Sequence, residues 1–121
     1  MQENDLILID HDFIRLMAMP LSEELRAELE RAIVVPRELI TGKVVTMQSR
    51  VQYREETTGV CREVEIVFPE DADASLGRVS VLAPVGAALI GLTTGQCIDW
   101  IFPDGTVRQL TVLDVTYPAR H

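Results

Sequence analysis

Apolar and polar positions follow two different periods along this chain, and the change falls at Lys43. Before it the spacing is helical. Asp10 or Asp12 can cap a short helix that carries Phe13, Ile14, Leu16 and Met17. Met19-Pro20 stops that helix, because proline removes a backbone donor and restricts the residue before it. Ser22 is a good N-cap, with Glu23 and Glu24 in the positive first turn of a second helix. Leu25, Leu29, Ala32 and Ile33 recur at i, i+4, i+7 and i+8, one apolar stripe on a helix face. Arg26–Glu30 and Glu28–Arg31 stand at pairing distance on its exposed faces. Pro36 ends the segment, so residues 1–42 are expected to form a short antiparallel helical hairpin.

From Lys43 the period becomes two. Val44-Val45-Thr46-Met47 and Arg50–Glu55 read as strands, and Thr57-Thr58-Gly59 as a turn. Val60, Val64, Ile66 and Phe68 fall on one face against Cys61, Glu63 and Glu65 on the other, a half-buried antiparallel strand. A polar loop over residues 70–75 precedes another short strand, Arg78–Leu82. Pro84 and Gly91 then bracket a short helix in the usual order of proline near the start and glycine past the end. A helix this short persists only when packed on a sheet. Thr94-Gly95 turns into a strand where Ile98, Trp100 and Phe102 alternate, and Asp104-Gly105 is a strong hairpin signal. The last strand, Thr106–Tyr117, changes phase, which a bulge near residue 112 explains. The fold class is α+β: an antiparallel sheet with one packed helix over residues 43–121, preceded by the hairpin.

Composition narrows the picture. At 47% hydrophobic and 25% charged, the chain suits one globular domain without a metal or disulfide staple. The first residues, Met1-Gln2-Glu3-Asn4-Asp5, are acidic where a signal peptide is basic, and no apolar run is long enough for a membrane span, so a cytoplasmic location is expected. Cys61 and Cys97 show no CxxC spacing and read as structural thiols. The two histidines, His11 and His121, offer no zinc or acid–base site. No cofactor and no metal are expected. The net charge of −8 runs against direct nucleic-acid binding, which needs a basic patch, and suits a basic protein partner.

The segment Ser80-Val81-Leu82-Ala83-Pro84-Val85-Gly86-Ala87-Ala88-Leu89-Ile90-Gly91 goes further. It resembles the C-terminal domain of the GreA/GreB transcript-cleavage factors, in which a similar run precedes a turn, a strand, a glycine hairpin and a strand ending near a tyrosine. Here those are Pro103-Asp104-Gly105 and Val115-Thr116-Tyr117. The chain is still more similar to Rnk-type regulators of nucleoside diphosphate kinase, at Val44–Val51 and Ala83–Gly91. The resemblance implies an FKBP-like fold. It also implies binding to RNA polymerase at a coiled coil of the largest subunit beside the secondary channel, with Ser80, Ala83, Pro84 and Val85 as contact candidates and Gly86 structural. DNA would be reached only through polymerase. In Gre factors a long N-terminal coiled coil carries acidic residues to a catalytic magnesium ion. The second helix here spans about a dozen residues, roughly 18 Å, and the tip Ala18-Met19-Pro20-Leu21 holds no carboxylate for a hard cation. The expectation is a regulator that does not stimulate cleavage and is not an enzyme. Two other readings stay open: a module for a different protein partner, and a prolyl isomerase, which needs an aromatic pocket that 5% aromatic content makes hard to build.

Overall fold

The computed structural model describes residues 6–40 and 43–117. Strand β1 (Ile7–Ile9) leads directly into helix α1 (Asp10–Met17), and helix α2 (Glu23–Glu30) into strand β2 (Ile33–Val35). The remaining elements are β3 (Arg50–Glu55), β4 (Cys61–Val67), β5 (Arg78–Ser80), helix α3 (Pro84–Leu89), β6 (Cys97–Ile101) and β7 (Val107–Thr116). Strands β3 to β7 form a five-stranded sheet in the order β5-β4-β3-β7-β6, antiparallel except for the β4–β5 pair. The α+β class expected from the two periods is the class observed.

The helical hairpin is present, with corrections. Helix α2 has 8 residues, about 12 Å at 1.5 Å per residue, rather than a dozen. Ser22 caps it as expected, its Oγ accepting from the Leu25 N–H at 3.1 Å. Ile33 leaves the helical stripe and pairs with Ile7, so that β1 and β2 run parallel beneath the hairpin. Neither Asp10 nor Asp12 caps α1, whose N-cap is Ile9. Asp12 is buried instead, and its Oδ2 accepts from the Met47 N–H at 3.1 Å. Arg26 does not turn toward Glu30. Its guanidinium donates to the carbonyls of Met17 and Met19, at 3.4 and 2.9 Å; the first belongs to the last turn of α1, whose carbonyls have no partner within the helix. The Glu28–Arg31 pair forms at 2.8 Å.

Val44–Met47 is not a strand. Val44 makes a single bridge to Thr93, and the chain then turns at Gln48, which takes φ 69°. The turn is held by Ser49, which donates from N to the Thr46 carbonyl at 3.2 Å and from Oγ to the same carbonyl at 2.8 Å. Strand β5 stops at Ser80 rather than Leu82, because the Ser80 Oγ takes the Leu82 N–H at 2.9 Å and bends the backbone. The phase change in the last strand is real: pairing with β3 shifts from Gln52↔Asp114 to Tyr53↔Val112, which makes Leu113 the extra residue of a bulge. Cys61 is exposed, Cys97 is half-buried, and no disulfide joins them.

One hydrophobic core runs through both parts of the chain. Leu6, Leu8, Leu16, Leu25 and Leu29 from the N-terminal elements pack with Val51, Ile66, Leu89, Leu110, Val112 and Val115. Tyr117 closes the sheet: its hydroxyl accepts from the Val44 N–H at 2.8 Å and donates to the Val44 carbonyl at 2.7 Å.

Candidate functional site

Ser80, Ala83, Pro84, Val85 and Gly86 come together at the junction of β5 and α3. Parallel pairing with β4 carries the chain to Ser80, and the Val81 N–H continues the ladder to the Val67 carbonyl at 2.8 Å. The Ala83 N–H then bonds the Ser80 carbonyl at 3.0 Å, a tight turn that delivers Pro84 to the first position of α3. Proline suits that position, since the missing donor would have no partner there. Ser80, Ala83, Pro84 and Val85 are all half-buried.

Gly86 is buried, and its role is steric. A Cβ on it would lie 2.3 Å from the Ser80 carbonyl oxygen and 2.9 Å from the Val81 Cα. Backbone cannot yield by that much, so only glycine lets α3 sit this close to the preceding turn. Ala88 and Leu89, one and zero per cent exposed, face the core.

Beside this turn lies a groove of about 580 Å³ that the sequence did not reveal. Leu82, Pro84 and Ala87 line one part of it, Asp99–Pro103 another, and Ser22, Glu24 and Glu28 of α2 the rest. The alternation of Ile98, Trp100 and Phe102 marks an inward face, and two of the three end at the groove wall rather than in the interior. Arg108 covers one of them, its guanidinium 4.5 Å from the centre of the Phe102 ring. Leu82, which the contact candidates left out, is 40% exposed between Val81 and the groove.

The carboxylates held below their usual range stand elsewhere, each for a local reason. Thr106 donates to Asp104, Ser75 to Asp73, Thr111 to Glu56 and Lys43 to Asp114. These are turn caps and cross-strand bonds. Among the described residues no group of three or more His, Cys, Asp or Glu side chains is placed to hold a metal ion.

Residues 40–117 match the family of the transcription elongation factor GreA/GreB C-terminal domain. The chain belongs to that family. Over 99 residues it is 41% identical to the "Regulator of nucleoside diphosphate kinase" of Escherichia coli K12, covering 82% of this chain and 73% of that protein. Transcription elongation factor GreA of Azorhizobium caulinodans is 32% identical over 94 residues, 78% of this chain and 59% of the GreA protein. Among solved structures, a GreA/GreB elongation factor from Nitrosomonas europaea superposes with a TM-score of 0.75 at 37% identity, covering 95% of this chain and 100% of that one. Gfh1 of Thermus thermophilus, at 19% identity and a TM-score of 0.51, shares the fold. The turn from Ser80 into α3 and the β6–β7 hairpin both lie inside the matched GreA/GreB region. The family's setting is transcription elongation, and no described helix is long and apolar enough to cross a membrane.

Proposed function

We propose that this protein regulates transcription elongation by binding RNA polymerase, docking near the secondary channel through the β5–α3 turn without stimulating transcript cleavage. The observation that carries the reading is the GreA/GreB match over residues 40–117, which takes in the whole turn and the helix behind it. Ser80, Ala83, Pro84 and Val85 form the contact, on the largest subunit's coiled coil, while Gly86 holds the turn against α3. A helical surface is a fitting partner for a half-buried turn flanked by an apolar groove.

The arm argues for binding without chemistry. Helices α1 and α2 have 8 residues each, about 12 Å. The tip between them is Ala18-Met19-Pro20-Leu21, with no hard oxygen side chain for a divalent cation. Glu23 and Glu24 sit in the first turn of α2, where negative charge is favoured by the helix dipole.

Pro84→Arg tests the contact. The position is half-exposed and makes no backbone donation, so the variant folds, and its affinity for core RNA polymerase in a pull-down or titration falls at least tenfold. Unchanged affinity in a variant with a wild-type unfolding transition rules out the β5–α3 turn as the contact.

A further inference from the structure

We propose that the open edge of β6, together with the groove beside it, receives an extended basic segment of a protein partner as an added strand. The polymerase reading is not required for this. Strand β6 ends the sheet. Its pairing with β7 is fixed at both ends, by the Val112 N–H bonding the Gln96 carbonyl and the Phe102 N–H bonding the Thr106 carbonyl, each at 2.9 Å. Hydrogen-bonded pairs alternate in an antiparallel ladder. Ile98 and Trp100 therefore bond to β7, and the N–H and C=O groups of Asp99 and Ile101 point away from it. The opposite edge of the sheet differs, since β5 is closed by two bonds between Asp73 and Arg78, at 2.9 and 3.0 Å. An uncovered strand edge is a template for pairing with another chain.

The surroundings of this edge select the occupant. The groove brings Leu82, Trp100 and Phe102 alongside it, and Ile101 and its cross-strand partner Val107 are 70% and 60% exposed. Apolar surface gathered at an open edge marks an interaction site. Glu24, Glu28 and Asp99 supply the charge. Glu28 is paired with Arg31, but no described cation lies within salt-bridge distance of Glu24 or Asp99. Lysine or arginine side chains can lay their stems on Trp100 and Phe102 and place their charge among these carboxylates. A second copy of this chain fits poorly. Two β6 strands paired about Asp99 would set that carboxylate against itself, and like charges directly opposite destabilise a strand pair.

Trp100 is the chain's single tryptophan, so its emission reads the groove. The probe is a blocked peptide of alternating valine and lysine, with two controls: the same peptide N-methylated at alternate residues, and a helix-forming leucine–lysine peptide of equal charge. We expect a saturable change in Trp100 emission with the extended peptide only, and amide exchange at Asp99 and Ile101 slowed at least tenfold. We also expect at least tenfold weaker binding to Asp99→Lys and to Ile101→Pro, which removes an outward N–H that β7 does not use. The methylated peptide gives the same information with the protein unaltered, should either variant fold poorly. The proposal is overturned by no saturable change, by equal binding of the methylated peptide, or by tighter binding of the helical one. A dimer in sedimentation with Ile101 already protected would assign the edge to a second copy and overturn it as well.

Discussion

Asp12 sits in the third position of α1 with its carboxylate turned inward, and it ties the hairpin to the sheet domain through the Met47 N–H. A buried backbone donor stripped of its partner costs about 1–3 kcal/mol. Asp12→Ala is therefore expected to lower stability by about 2 kcal/mol in denaturant unfolding, and Asp12→Asn, which keeps an acceptor oxygen, by less than half as much. Equal losses would mean that charge rather than the bond to Met47 matters. The sequence placed Asp12 at a helix start, where capping is the ordinary role of aspartate. Its acceptor role was illegible because Met47 is 35 residues away and joins it only through the turn at Gln48. That turn was hidden as well: φ of 69° favours glycine or asparagine, and glutamine gives no such signal. Gly86 was expected to be structural from the family resemblance alone, and the close approach of α3 to the Ser80 carbonyl supplies the physical reason.

At the scale of elements, strands with a polar face were readable and strands without one were not. β3, β4, β6 and β7 alternate, and even the bulge at Leu113 left its mark as a change of phase. β1 and β2 are three residues each, uniformly apolar, and Ile33 happens to fall on the helical stripe of α2. Their parallel pairing joins segments separated by two helices, which no local pattern records. The β5–α3 turn could be found because it is contiguous. The groove could not, because Glu24 and Trp100 meet only in the folded chain. The switch of period at Lys43 supports treating residues 43–121 as a unit, while the shared core predicts a penalty for isolating it. Deleting residues 1–42 uncovers surface that Leu16, Leu25 and Leu29 cover. The truncated chain is expected to keep its sheet signal in circular dichroism and a single cooperative transition, at a lower midpoint and with reduced solubility. Loss of the sheet signal would show that the hairpin is integral to the domain.

For the whole molecule, the proposed docking on polymerase with a short arm has competition as its consequence. If the β5–α3 turn occupies the polymerase site that Gre factors use, the two proteins exclude each other by mass action, and displacement follows concentration and relative affinity. Arrested elongation complexes are the direct assay. This protein alone is expected to leave the RNA uncut, and in excess to suppress cleavage by a Gre factor in proportion to its occupancy. Magnesium-dependent cleavage by the purified protein would contradict the argument from the arm and direct attention to Glu23 and Glu24. Additive cleavage in the mixture, with no suppression, would separate the two binding sites.

The parallel β1–β2 pair also bears on how such an arm can change. The chain departs from this pair at Ile9 and returns to it at Ile33, and the base is pinned by the Ile7 N–H to Gly91 and the Ile33 N–H to Leu6, at 3.0 and 2.7 Å. At the tip, the ties are Arg26 reaching across to Met17 and Met19 and the short turn before Ser22. Turns of helix added in matched numbers to the end of α1 and the start of α2 would leave every contact at the base in place. Reach is thus separable from the body: insertion or deletion at one loop can lengthen or shorten the arm while the sheet domain stays the same.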